Sequence, residues 1–256
     1  MNILNILKRK KKESLLWQSS YLNTTVQVWE KNERRELRFG NKIIQSAFHK
    51  RQPQYLVLPY TRFMLMCLIF CPKPQSILHI GLGGGSIVRW LYQEFPNTNQ
   101  TIIEINSDVI EVAYRFFELP EDKRLQVINA DASKFITKIS EKFDLIFLDA
   151  FNDFGASEEI KGVGFLRSLS SCLSNSGWIV GNFWTLTGDF KNQCDIWKSK
   201  FTNVFKARAN EKGNEILFGS QNREIKDLND FDQMAKTLEF HHLIEFKKMK
   251  SELIIL

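Results

Sequence analysis

The chain reads as an α/β protein: a mostly parallel, twisted sheet preceded by a small β-rich region. Three observations predict this. From Ser76 onward, short apolar runs alternate with helical segments, the pattern of parallel strands joined by helical crossovers. A glycine-rich turn, Gly81 to Gly85, joins the first run to the first helix of that alternation, and carboxylates recur where later runs end. Together these describe a Rossmann-like arrangement, in which ligands bind outside the carboxyl ends of the strands.

The elements follow in order. Residues 1–13 form a tail carrying Lys8, Arg9, Lys10, Lys11 and Lys12, and residues 14–52 form the β-rich region. Within it "TTVQVWE" alternates, and Gly40 with Asn41 supplies a turn between strand-like pieces. Residues 53–256 form the main domain. It opens with "QYLVLPYTRFMLMCLIF", whose length and unbroken apolarity predict a buried helix stopped by Pro72 and Pro74. The predicted strands are "SILHI", "QTIIEI", "LQVINA", "FDLIFLD" and "GWIVGNFW". One helix starts with Ser107 as N-cap and Asp108 and Glu111 in the first turn, with Val109, Val112, Ala113 and Phe116 as its apolar stripe. Helices from about Gly164 to Leu173 and from Lys191 to Phe201 precede a hairpin around Gly213, and the last 35 or so residues read as helical.

Composition excludes several classes. With 43% hydrophobic and 25% charged residues the chain is neither disordered nor fibrous. Its 21 Phe residues fall largely inside apolar runs and are read as core volume. The net charge is +6, and the five basic residues of the tail leave only +1 for the rest. No phosphate-tracking face is apparent, so no nucleic-acid partner is expected. The run Phe63 to Cys71 is half the length of a membrane span. The first seven residues are too short for a signal peptide's apolar region, and the expected location is cytoplasmic. Cys67, Cys71, Cys172 and Cys194 show no paired spacing and no carboxylate completes a metal set, so they are expected to be reduced thiols and no metal is expected.

The stretch "ILHIGLGGGSIVRWL" is the most informative. Gly81, Gly83, Gly84 and Gly85 allow a sharp turn and close approach of a ligand to the main chain. A dinucleotide fingerprint would place a third glycine where Ser86 stands. Glu104 ends the second strand, 23 residues after Gly81, placed to accept hydrogen bonds from ribose hydroxyls. Asp131 follows the third strand and can meet an adenine amino group, with the small Ala132 beside it. Asp149 ends the fourth, and Asp153 follows four residues later. Acid here favours a sulfonium cation over a pyrophosphate, so an S-adenosyl compound is preferred to a nicotinamide dinucleotide.

With those residues in place, the stretch from about Gln45 to Gly219 resembles the spermidine synthase family of aminopropyltransferases, especially its shorter bacterial members. The resemblance implies a Rossmann-like S-adenosylmethionine-dependent transferase fold. It implies that Gly81, Gly83, Gly84 and Gly85 hold the nucleoside's tail, Glu104 with Ile105 the ribose, and Asp131 with Ala132 the adenine. Asp149 matches the acid that positions and deprotonates the attacking amine, with Asp153 secondary, and Tyr60 and Gln45 fall on the amine side. The implied co-substrate is decarboxylated S-adenosylmethionine or S-adenosylmethionine, the partner a small amine such as putrescine, and the assembly a possible homodimer.

The chain departs from the family pattern at three places. The loop acid of Gly-Gly-Gly-Asp-Gly-Gly is read here as Ser86. Asn152 takes the second acidic place of Asp-Ser-Ser-Asp-Pro, and a Tyr-His-Glu or Tyr-Gln-Glu triplet becomes Tyr60, Thr61 and Arg62. Three readings therefore stand: an aminopropyltransferase; a methyltransferase on the same fold, with Arg62 or Arg89 pairing with the carboxylate of intact S-adenosylmethionine; and a nucleoside-binding protein without catalysis. A nicotinamide enzyme ranks behind all three.

Overall fold

The computed structural model describes residues 13–21, 24–40, 43–150, 160, 162–185, 188–209 and 213–256. Four antiparallel strands come first: β1 (Ser14–Tyr21), β2 (Thr24–Lys31), β3 (Arg34–Phe39) and β4 (Ile43–His49), in spatial order β1-β2-β3-β4. Alternation sets their inner face, where Val26, Val28, Leu37 and Phe48 are buried.

Among the described residues the main sheet has eight strands. β5 (Ser76–Ile80), β6 (Asn99–Glu104), β7 (Leu125–Asn129), β8 (Phe143–Leu148) and β9 (Leu173–Trp184) form its parallel part. β10 (Asn203–Arg208), β11 (Asn214–Ser220) and β12 (Ile254–Ile255) add antiparallel pairings at one side. The order is β12-β10-β11-β9-β8-β5-β6-β7, so the chain leaves β5 first toward β6 and later returns to β8. β5 is thus the topological switch point, where a crevice opens between diverging connections.

Among the described residues the helices are α1 (Pro59–Met64), α2 (Ser86–Glu94), α3 (Ser107–Phe117), α4 (Ala132–Phe135), α5 (Val163–Ser171), α6 (Phe190–Lys198), α7 (Asp232–His242) and α8 (Phe246–Lys250). One sheet face packs α1, α2, α7 and α8; the other packs α5 and α6. The small N-terminal sheet closes over α3, where Val109, Val112, Ala113 and Phe117 meet Val26, Val28 and Phe48. Many Phe residues are core, as expected: Phe48, Phe117, Phe147, Phe205, Phe218 and Phe246 are almost fully buried. Trp178 stacks on Phe70 with ring centroids 4.3 Å apart. Truncating so large a buried ring typically costs about 3–5 kcal/mol.

Several sequence expectations need correction. The apolar stretch is not one long helix. α1 starts at Pro59, whose ring fixes φ and lacks an N–H that the first turn could not use anyway, and Leu65–Ile69 tightens into a 3-10 turn. The N-cap of α3 is Asn106 rather than Ser107, its side chain accepting from the Asp108 and Val109 amides. The fourth member of the buried stripe is Phe117, with Phe116 only partly covered. α5 stops at Ser171 because β9 already begins at Leu173, and α6 spans Phe190–Lys198. The C-terminal segment ends in β12 rather than in helix. The four cysteines are free. Among the described residues no helix is long and apolar enough to cross a membrane.

Candidate active site

The tips of β5, β6, β7 and β8 open on one cavity of about 450 Å³, a size typical of small-molecule sites. The turn after β5 forms its floor. Gly81 has φ +94°, and a Cβ there would lie 2.3 Å from the main-chain oxygen of Asp149. Only glycine fits, because both the dihedral and the close approach exclude a side chain. The Gly81 amide donates to the Ile103 carbonyl and the Asp149 amide to the Ile80 carbonyl, both at 2.9 Å, which ties the three central strand tips together.

The four glycines divide in role. Gly81 and Gly83 line the cavity. Gly84 and Gly85 do not contribute to its wall. Gly84 packs on Ser46 and Phe117, and Gly85, at φ +67°, starts α2 against Leu119. The register of the loop acid is also corrected. Counted from Gly81, the fourth place of Gly-Gly-Gly-Asp-Gly-Gly falls on Gly84, not on Ser86. A Cβ at Gly84 would meet the Ser46 hydroxyl at 2.7 Å and the Phe117 ring at 2.8 Å, so this packing leaves no room for an acid. Ser86 itself lines the cavity, its hydroxyl 3.2 Å from that of Ser46.

Glu104 is held by the main chain. One carboxylate oxygen accepts from the Leu82 amide and the other from the Asn106 amide, each at 2.9 Å. Burial pushes its carboxyl above the ordinary value, and these amides, with those of Ile105 and Gly83, oppose that shift. Asn129 steadies the same corner from β7, its side-chain amide donating to the Glu104 and Ile105 carbonyls at 2.9 and 3.0 Å. Ile105 is half-exposed and lines the cavity.

Asp131 and Ala132 also line it. Asp131 caps α4, its Oδ1 accepting from the Ser133 amide at 2.9 Å and the Ser133 hydroxyl at 2.7 Å. The Ser133 hydroxyl is the main reason its carboxyl lies below the usual range. Its other oxygen faces Lys134 Nζ at 3.3 Å.

Asp149 sits at the tip of β8. Its Oδ1 accepts from Asn182 Nδ2 at 3.0 Å, and Asn182 Oδ1 in turn accepts from Asn214 Nδ2 at 3.0 Å. The Tyr60 hydroxyl lies against both the Asp149 carboxylate and the Gln45 carbonyl, the latter at 3.3 Å. The Tyr60 hydroxyl donates to the Gln45 carbonyl. Burial raises the Asp149 carboxyl above its ordinary value, with Asn182 and Tyr60 pulling it back. Burial raises the Tyr60 hydroxyl still further, so it stays protonated and donates.

Asp149, Glu104, Asp131, Tyr60 and Gln45 thus share one cavity, whereas Asp153 lies outside the described residues. The two arginines considered for a ligand carboxylate are elsewhere. Arg89 is buried and spends its guanidinium on the carbonyls of Pro53, Gly84 and Phe117. Arg62 lies over the Tyr55 ring, away from the cavity wall. Asn182 and His79 escaped the sequence reading of the site. The one available signal was a polar side chain inside an otherwise apolar strand. Among the described residues no three His, Cys, Asp or Glu side chains come together as a metal site.

Residues 60–205 match the family model of the spermine/spermidine synthase domain. The polyamine aminopropyltransferase of Neisseria meningitidis serogroup A is 32% identical over 233 residues, covering 86% of this chain and 87% of that protein. Among solved structures, a probable spermidine synthase from Corynebacterium glutamicum superposes with a TM-score of 0.74 at 17% identity, covering 86% of each chain. Human methyltransferase-like protein 13, solved in complex with SAH, gives 0.68 at 23% identity, covering 72% of this chain and 92% of that one. At these identities the structures speak to the fold.

Proposed function

The chain belongs to the spermine/spermidine synthase domain family, and from that premise we propose that it transfers an aminopropyl group from decarboxylated S-adenosylmethionine to a small amine such as putrescine. The observation that carries the proposal is the pairing of Glu104 and Asp149 in one cavity, with Asp149 braced by Tyr60 and Asn182.

Each residue has a part. Glu104, its two oxygens oriented by main-chain amides, keeps lone pairs for the ribose hydroxyls. Asp131 and Ala132 border the adenine. Asp149 draws the attacking amine into line with the carbon next to the sulfonium, and alignment is where much of the rate gain arises. The new C–N bond forms as the C–S bond breaks, and the electron pair leaves on sulfur as neutral methylthioadenosine. Asp149 then takes the amine's proton, and a carboxyl raised by burial is a better base for that task than an exposed one. Asn182 orients the Asp149 carboxylate through Oδ1, with the Tyr60 hydroxyl beside it.

Methyl transfer is the second reading. It draws support from Gly84, where the family's loop acid is missing and packing excludes it. It loses support because Arg89, a candidate partner for the donor's carboxylate, is consumed by three carbonyls. Mass spectrometry after incubation with decarboxylated S-adenosylmethionine and putrescine tests the proposal. Methylthioadenosine and an aminopropylated product are expected from the wild type and not from Asp149→Asn. Methylated product from intact S-adenosylmethionine, with none from the decarboxylated donor, would overturn it.

A further inference from the structure

His79 is a polar side chain in the middle of an apolar parallel strand, only 3% exposed, and it is one of the residues lining the cavity. Its neighbours fix its chemistry. The Val88 carbonyl accepts from Gln100 Nε2 at 3.2 Å, which turns Gln100 Oε1 toward His79 Nε2 at 2.9 Å. An amide oxygen accepts only, so Nε2 carries the proton and Nδ1 is a bare lone pair. Burial lowers the imidazole pKa to about 4, so the ring is neutral at physiological pH. Phe147 stacks on it at 5.1 Å and holds its plane. No described residue hydrogen-bonds Nδ1, and it is not among the fully enclosed unpaired polar atoms, so the cavity reaches it.

We propose that His79 is a ligand-binding residue whose Nδ1 accepts a hydrogen bond from the amine-bearing arm of a reactant, and this rests on the function proposed above. The position fits. Glu104 and Asp131 place the nucleoside over β6 and β7, whereas His79 lies on β5, on the sheet face covered by α1 and α2. Tyr60, Thr61 and Ile87 line the cavity on that same side. An oriented acceptor that opens on the cavity is free to take a ligand's donor. An amine is a donor on every N–H, and Nδ1 can only accept. Two sources offer such an arm: the aminopropyl tail of the donor and the far end of a diamine acceptor.

Calorimetry on wild type and His79→Phe tests this with two ligand pairs. Decarboxylated S-adenosylmethionine is compared with methylthioadenosine, which lacks the tail, and putrescine with n-butylamine, which lacks the second amine, both amines with methylthioadenosine bound. In His79→Phe the preference within one pair should fall by about tenfold, the order expected for one hydrogen bond from a charged donor, with methylthioadenosine affinity kept within about twofold. The pair that responds identifies the source. Unchanged preferences in both pairs overturn the proposal. If His79→Phe does not fold, long-range proton–nitrogen spectra of the wild type decide: Nδ1 must respond more to the amine-bearing member of one pair, and equal responses overturn the assignment. Absence of methylthioadenosine binding by the wild type sinks the functional reading instead.

Discussion

Gly81→Ala isolates the contact on which the site geometry turns. A Cβ at Gly81 lies 2.3 Å from the Asp149 main-chain oxygen and 2.9 Å from its carbon, at φ +94°. Real Cβ atoms essentially never come closer than 3.0 Å, so the turn and the β8 tip must separate by most of an ångström. The neighbour is backbone and cannot swing aside as a flexible side chain does. Displacement of about 1 Å at a reacting group costs about a hundredfold in rate, equivalent to about 2.7 kcal/mol of transition-state stabilisation. The unfavourable dihedral adds about 1–2 kcal/mol of lost stability. Steady-state kcat/KM with decarboxylated S-adenosylmethionine and putrescine, beside urea unfolding, separates the two effects. Gly84→Ala is the control: its Cβ meets Ser46 and Phe117 rather than the β8 tip, so stability falls while kcat/KM drops less than tenfold. Wild-type kcat/KM in Gly81→Ala would refute the reasoning.

Asp149→Asn should cost about a thousandfold in kcat, within the range for losing a general base. Because burial raises the Asp149 carboxyl, the folded state holds that proton more tightly than the unfolded chain, and ionisation costs stability as pH rises through the folded value. The thermal midpoint of Asp149→Asn at pH 7 is therefore expected to equal or exceed that of wild type, and a clear fall contradicts the assignment. In Tyr60→Phe the hydroxyl that lowers the Asp149 pKa is gone, so the acid limb of the kcat/KM profile should move to higher pH; an unmoved limb removes Tyr60 from the site. Glu104→Gln should weaken methylthioadenosine binding about ten- to a hundredfold by calorimetry, the value of hydrogen bonds to a charged acceptor.

Much of this was legible in the sequence because the parallel strands are buried on both faces and therefore read as short apolar runs. The turn at Gly81 was legible because only glycine serves there, and the carboxylates because they end strands. Boundaries were less so. Asn106 and Ser107 are both good caps, and only the backbone decides which one accepts from the helix amides. Phe116 and Phe117 are equivalent in type, and the exact phase of α3 selects Phe117 for burial. β12 is two residues long and exists through its pairing with β10.

The site was legible as a set of positions and not as a network. Nothing local to Arg89 shows that Pro53, 36 residues away, will take its guanidinium. Nor does the strand "GWIVGNFW" reveal that Asn182 meets Asp149, because that contact arises from the parallel pairing of β8 with β9. Gly84 and Gly85 looked equivalent to Gly81 until the fold set Gly84 against Ser46 and Phe117 and Gly85 against Leu119.

A crystal structure of the protein soaked with methylthioadenosine shows where the nucleoside lies. The expected density places the ribose hydroxyls on Glu104, the adenine beside Asp131 and Ala132, and the sulfur toward Asp149. A nucleoside bound away from the β5 switch point, or lying there with its sulfur facing away from Asp149, would contradict it.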